Sequence, residues 1–361
     1  MNGKTSISET KIINFLNRTK ECTSIICLSE KHAVLAAYDY CTLFDLSNYQ
    51  KIAQLEDSKV VKHSVCINTD PNKKLLLVRD NTHITLYDTK NYAQIWEKNI
   101  YTKCYEFIIN PINKEILIGT YDNLVAFDYM NNHTIEKAFN IPNDHTIIFS
   151  PTEKEYIIYP KKHQKLPLKQ YDNQHIFLKE YNLSHNDIWE CKYSPDGSLL
   201  SINHTNGCAI LDLNTSKHTY LIKNYQDIYS INFNPHSFIV AILEGVTSHA
   251  KVEMSYWNAK KQQLLTKKTL PMIWWKYPHD NCMDFICDGT KIIVAGDIES
   301  LVIEVPFEAL YQPDTKEKCA FALWVLKNYK DNSGTNVLPP ELAQLLTYNL
   351  LQTHKYSFTN Y

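Results

Sequence analysis

Short runs of alternating apolar and polar residues recur along most of the chain, each closed by a polar turn. Five of them end at a proline: Pro71, Pro111, Pro151, Pro195 and Pro235, at steps of 40, 40, 44 and 40 residues. Their contexts match, as in Ile109-Asn110-Pro111, Phe149-Ser150-Pro151, Tyr193-Ser194-Pro195-Asp196-Gly197 and Phe233-Asn234-Pro235. A polar tip follows, then another apolar run such as Glu115 to Gly119 or Ser198 to Ile202. Proline fixes φ at a turn and ends the strand before it, so each unit reads as a β-hairpin. Asp288-Gly289 fills the same place without proline, and Ser29-Glu30 does so more weakly.

Two further markers run in step. Strands of the loose form x-Ile-x-Leu-x-Asp are expected to end at Asp45, Asp88, Asp128, Glu180, Asp212, Asn258 and Glu304. A turn residue precedes most of them: Asp39, Asp80, Asp122, Asp172, Asn206 and Asp297. The stretch Asp80 to Asp88 matches Asp172 to Glu180 offset for offset. The turn aspartates are expected to cap their own backbone. A period of about 43 holds four short strands and little else, which predicts a propeller blade. Helical repeats of that length would need a 3.6-residue period instead. Seven units fit between Cys22 and Phe307, with an insertion in the fourth around Lys161 to Lys169 and a longer tip in the sixth around Val246 to Ala250.

On the Tyr193-Ser194-Pro195-Asp196-Gly197 motif, the turn aspartates, and Asp45, Asp88, Asp128 and Asp212, the sequence resembles the WD-repeat family over some 285 residues. The resemblance implies an all-β, seven-bladed β-propeller around a central channel, with protein–protein assembly as its activity. The chain departs from the family in lacking the Gly-His dipeptide and the Trp-Asp pair, for which Trp257-Asn258 is the nearest substitute. The family's Asp–His–Ser/Thr–Trp network is therefore expected to be incomplete.

The propeller is expected over residues 1–312. Its last unit offers only three convincing strands, so 11–16 is expected to supply a ring-closing fourth and leave no exposed edge. Residues 313–361 read as a different element. Asp314 and Glu317 have capping-box spacing ahead of a helix from Thr315 to Lys330. Leu342, Leu345, Leu346 and Leu350 mark a second amphipathic helix opened by Pro339 and Pro340. Two such helices need a surface to dock on, either the propeller or another chain. Leu338 to Leu342 also resembles, loosely, the boxes by which adaptors recruit ubiquitin ligases.

Composition narrows the function. The formal net charge is −2, and arginine occurs only at Arg18 and Arg79, which argues against a nucleic-acid or anionic-membrane grip. None of the eight glycines falls in a phosphate-loop or dinucleotide fingerprint. Met1 to Thr10 has no apolar core of a signal peptide, and the longest apolar run, Cys319 to Leu326, is too short to span a bilayer. Ten cysteines without a CxxC pair read as reduced thiols in a cytoplasmic protein.

His279, Asp280, Cys282 and Cys287 are the densest group of potential metal ligands. The odd separation of the two cysteines sends them to opposite strand faces, so no metal or other cofactor is expected. No nucleophile-elbow, zincin or kinase motif is present. A hydrolase site assembled across blades at the channel mouth is the remaining enzymatic alternative.

Partner-binding candidates are Trp274, Trp275, Tyr277 and His279 between the sixth and seventh units, where aromatic loop residues serve as anchors. Tyr38, Arg79, Tyr121 and His204, beside the turns, are candidates for a partner-facing rim. The expected function is a non-enzymatic scaffold that presents rigid loops to other proteins or peptides, alone or within a hetero-complex.

Overall fold

The computed structural model describes residues 10–13, 22–37, 40–57, 66–79, 83–99, 104–120, 124–131, 133–139, 145–160, 167–183, 187–223, 228–245, 252–270, 282–286, 289–295, 300–306 and 309. Within them the regular elements are all strands. Strand β1 (Thr10–Ile13) comes first. Blade one is β2 (Cys22–Cys27), β3 (His32–Ala37), β4 (Tyr40–Asp45) and β5 (Gln50–Asp57). Blade two is β6 (Cys66–Thr69), β7 (Leu75–Arg79), β8 (His83–Asp88) and β9 (Gln94–Asn99). Blade three is β10 (Cys104–Asn110), β11 (Glu115–Thr120), β12 (Leu124–Asp128) and β13 (His133–Phe139). Blade four is β14 (His145–Phe149), β15 (Glu155–Pro160), β16 (Leu168–Asp172) and β17 (Phe177–Tyr181). Blade five is β18 (Ile188–Tyr193), β19 (Leu199–His204), β20 (Gly207–Asp212) and β21 (His218–Lys223). Blade six is β22 (Ile228–Phe233), β23 (Ile239–Gly245), β24 (Val252–Asn258) and β25 (Gln263–Leu270). Blade seven is β26 (Met283–Phe285), β27 (Lys291–Ala295) and β28 (Ser300–Glu304), with β1 as its outermost strand.

Each blade is a four-stranded antiparallel meander. The first strands touch their neighbours in a closed cycle, β2 to β6 and onward to β26, which returns to β2. This is a seven-bladed β-propeller. Its core is a set of seven apolar seams, one between each pair of adjacent blades. Period-two alternation explains why the second strands are mostly apolar on both faces. In β3, Ala33, Leu35 and Ala37 enter the seam with blade seven, while Val34 and Ala36 enter the seam with blade two. Both faces of the strand are buried, so no polar face is left to show.

The prolines follow the first strand, as expected, but the residue before each one does the capping. Asp70, Asn110, Ser150, Ser194 and Asn234 are buried at that position. Leu199 N–H donates to Ser194 Oγ at 2.9 Å, and His236 N–H donates to Asn234 Oδ1 at 3.0 Å. The tip residue adopts a left-handed backbone at Lys73, Lys114, Glu153, Gly197 and Gly289. At Gly197 a Cβ would lie 2.7 Å from Ser150 Oγ, so glycine also permits the close approach of blade four.

Acidic and amide residues that end the third strands cap the next turn. Ser47 N–H donates to Asp45 Oδ1, Lys90 N–H to Asp88 Oδ1 and Asn214 N–H to Asp212 Oδ1, at 2.8, 2.8 and 2.9 Å. One expectation is corrected here. Asp172 is the end of the third strand β16, and Glu180 lies in the fourth strand β17. Gln174 N–H and Ile176 N–H donate to Asp172 Oδ1 at 2.9 and 2.8 Å, the same cap as in the other blades. The sequence match between Asp80–Asp88 and Asp172–Glu180 aligned a third strand with a fourth. The real third strand, Leu-Lys-Gln-Tyr-Asp, carries too few apolar residues to stand out.

Six of the seven outer strand pairs contain a register shift. Such bulges twist an exposed edge away from further pairing. The exception is β1 against β28, which runs from Thr10↔Ile303 to Ile13↔Ser300 without a shift. Residues 14–16 of the expected closing segment, the insertion at 161–166, the tip at 246–250 and both C-terminal helices lie outside the described residues.

Candidate interaction surface

Most of the sequence-derived partner residues, Tyr38, Tyr121, Trp274, Trp275, Tyr277 and His279, lie outside the described residues, as do Asp39, Asp80, Asp122, Asp297, Asp280 and Cys287. Among the rest, Arg79 is half-buried at the end of β7, with its guanidinium 5.4 Å from the centre of the Phe107 ring in blade three. His204 is buried, not on a rim. Its ring packs edge-on against Tyr220, and its Nδ1 accepts the Asn206 N–H at 3.1 Å across the short turn into β20. A histidine that caps its own hairpin is spent on structure. Cys282 is buried as a free thiol, and no cluster of metal-ligand residues occurs among the described residues.

Three polar constellations stand out instead. The first surrounds Asp284 on the innermost strand β26. Its Oδ2 accepts the Cys27 N–H of blade one at 2.8 Å, and its Oδ1 accepts Asn232 Nδ2–H of blade six at 2.8 Å. Lys73 of blade two lies 3.4 Å from Oδ2 and donates to the Cys27 carbonyl at 2.5 Å. One carboxylate thus joins four blades beside the axis. Asn68 donating to Phe107 O and Glu190 accepting from Ile231 N–H repeat the device between blades two and three and between five and six.

The second lies within blade six. Trp257 Nε1–H donates to Ser255 Oγ at 3.0 Å, and Ser255 donates to Glu244. Lys267 bridges Glu244 and Glu253 at 3.0 and 2.9 Å. Burial works against the Lys267 ammonium, but hydrogen bonds from it to the two carboxylates hold it above the usual lysine range. This is a Trp–Ser–Glu–Lys chain, where the resemblance implied an incomplete network.

The third joins blades three and four. His175 Nε2 lies 3.1 Å from Glu115 Oε2, and His175 Nδ1 lies 3.0 Å from the Tyr156 hydroxyl. Asn110 and Asn113 also donate to Glu115 Oε2, at 3.4 and 3.3 Å. In an enzyme, such a carboxylate–imidazole–hydroxyl chain would need an accessible hydroxyl. Tyr156 is wholly buried, stacked on Tyr171 at 5.4 Å and flanked by Phe149. Burial pushes its ionisation far up. The chain is a clamp between turns.

Exposed apolar side chains are concentrated in the same two blades. Five of the eight large apolar side chains exposed among the described residues belong to blades three and four: Ile112 (46%), Met130 (58%), Ile176 (57%), Phe177 (51%) and Leu178 (49%). Their turns are stitched together. Tyr129 N–H donates to Lys114 O at 3.1 Å, Asn113 donates to Asn173 O, and Asn173 N–H donates to Lys154 O at 2.9 Å. Apolar exposure concentrated on hydrogen-bonded turns and an edge strand makes these two blades a candidate for contact. In sequence these residues read as ordinary turn and strand positions, and the only available signal was the apolar triplet Ile176-Phe177-Leu178 in a strand mistaken for an inner one.

No helix among the described residues is long and apolar enough to cross a membrane. No family model matches the chain, and no curated protein matches it by sequence. Among solved structures, the β-propeller domain of Cps50 (Swd1) from Myceliophteria thermophila is similar at a TM-score of 0.64 and 11% identity, over 82% of this chain and all of that one. The chain is thus a seven-bladed β-propeller, similar in fold to that β-propeller domain.

Proposed function

We propose that this protein is a non-enzymatic scaffold that binds other proteins through its propeller, with the turns of blades three and four as one contact surface. The observation that carries the reading is the exposed set Ile112, Met130 and Ile176 on turns, with Phe177 and Leu178 on β17, in the two blades joined by the Glu115–His175–Tyr156 clamp. A preorganised surface loses little entropy on binding, so modest apolar contact converts efficiently into affinity. WD40-like propellers generally mediate protein–protein interaction, which supports the same reading. The test is quantitative affinity purification of the intact tagged chain beside its Ile176→Asp/Phe177→Ser variant. The scaffold reading expects specific partners to drop at least tenfold with the variant while its unfolding midpoint stays unchanged. Identical partner sets from both chains would remove blades three and four as the contact surface.

A further inference from the structure

Blade seven is assembled differently from the other six. In blades one to six the outermost strand follows the third strand directly in sequence, through a turn that Asp45 caps in blade one and Asp212 in blade five. In blade seven the outermost strand is β1, which precedes the whole ring in sequence, so no turn ties it to β28. Its described strand pairing is four residue pairs, from Thr10↔Ile303 to Ile13↔Ser300.

The ring is closed by contacts outside β1. Beside the axis, Cys27 N–H of blade one donates to Asp284 Oδ2 of blade seven at 2.8 Å. Farther out, Ile286, Ile293, Ala295 and Val302 of blade seven pack with Ile25, Leu35 and Phe44 of blade one. What β1 does is cover an edge. Leu301, Val302 and Ile303 of β28 are buried, and β27 pairs with β28 from Lys291↔Glu304 to Ala295↔Ser300 without a register shift. Stripped of β1, β28 is a regular apolar edge, the form that most readily accepts another strand. A strand that fits it residue for residue is β1 of a second copy, and that copy offers the same edge in return.

We infer that β1 exchanges between two copies of the chain, each covering β28 of the other in a two-fold, strand-swapped dimer. The pairing broken in one copy is remade in the other, so exchange requires only that one four-residue pairing at a chain terminus open. Residues 14–21 join β1 to β2 and span at most about 30 Å when extended, which brings the two copies together near their seventh blades. Blade seven is thereby a site of self-association, independent of the contact surface proposed on blades three and four.

The test uses full-length chains with one added cysteine each, at a directly opposed pair of positions. Ser300 suits it, because its Oγ is buried without a hydrogen-bond partner among the described residues, so Ser300→Cys gives up no bond. An Ile13→Cys chain and an isotopically heavy Ser300→Cys chain are mixed, incubated and oxidised, and mass spectrometry of the digest locates the disulfide between the added thiols. Exchange is expected to form that bond between a light and a heavy chain, in a yield that rises with protein concentration. The Ile13→Cys/Ser300→Cys double variant, oxidised at low concentration, is expected to form it within one chain. Locked in that way, it should show at least tenfold less dimer than the natural chain by light scattering at equal concentration. If the double variant closes its internal bond but the mixed chains form none, β1 stays on its own blade and the inference is overturned. Failure of the double variant to close overturns it as well, because β1 would then not lie on β28. A locked chain that dimerises as readily as the natural one also overturns it, since the copies would be associating through another surface.

Discussion

The seam where blade seven meets blade one and the seam where blade three meets blade four solve the same packing problem in opposite ways. At the first, polar groups converge inward on Asp284, and β1 from the start of the chain completes the blade at the periphery. At the second, the polar clamp of Glu115, His175 and Tyr156 sits among the turns, and apolar side chains remain outside it. The closing seam joins segments from opposite ends of the described chain, so it must be held by long-range contacts. The three–four seam is local in sequence and has surface to spare. In a ring of similar blades, the joints differ by where their polar groups are placed.

The largest effect should come from breaking the axial hub. Asp284→Ala removes the acceptor for Cys27 N–H and Asn232 Nδ2–H and leaves Lys73 without its carboxylate. The expected loss is about 3–5 kcal/mol, the range for removing one partner of a largely buried charged pair. Urea unfolding of the variant against the natural chain measures it. A change below about 1 kcal/mol would mean that blades six, seven, one and two are held without this carboxylate.

A smaller effect is expected at the other seam. In a double-mutant cycle of Glu115→Ala and His175→Ala, the two side chains should show a coupling of about 1–2 kcal/mol, because they share one hydrogen bond within a buried network. Additive losses would show that the turns of blades three and four are held by apolar contact alone.

The pH response of blade two tests the pre-proline position, which blades three and four of the second seam also carry as Asn110 and Ser150. Asp70 holds the place that Asn110 and Asn234 hold in blades three and six, and burial raises its carboxyl above the usual aspartate range. The folded chain therefore binds that proton more tightly than the unfolded chain. The resulting stabilisation is complete below the ordinary aspartate pKa and is lost as pH rises through the raised value. Asp70→Asn has no proton to lose, so its stability relative to the natural chain should be greater at pH 7 than at pH 3. Urea midpoints at the two pH values decide it, and a difference that does not change with pH would contradict the burial argument.

The blade count and the hairpins were legible because proline is a positional signal: it ends the first strand of five of the seven units at a nearly constant step. The carboxylates were legible as turn caps but not as to which turn, since Asp45 and Asp88 close third strands while Asp80 falls before one. Leu168 to Asp172 failed as a strand signal because its inward residues include Gln170, whose side chain accepts the Tyr181 hydroxyl at 2.6 Å. Asp284 carried no local pattern at all. Its partners Cys27, Lys73 and Asn232 are distant in sequence, and only closure of the ring brings them together. His204 misled for the converse reason, since a polar residue beside a turn reads as exposed unless its hairpin folds over it.

The smallest effect should be at the surface of the three–four seam, and it sharpens the contrast between the inside and outside of one joint. Leu117 in β11 is fully buried between these blades, so Leu117→Ala should cost about 2–5 kcal/mol from lost transfer energy and the cavity left behind. Ile176 lies a few strands outward and more than half exposed, so Ile176→Asp removes little buried area and creates no cavity. Its backbone N–H still donates to Asp172 Oδ1, because that bond does not involve the side chain. The expected change in folding stability is within about 0.5 kcal/mol. An exposed isoleucine that the fold does not need is consistent with the contact surface proposed above. If Ile176→Asp instead destabilises the chain as much as Leu117→Ala, the side chain belongs to the core, and the apolar surface of blades three and four is part of the fold's own packing.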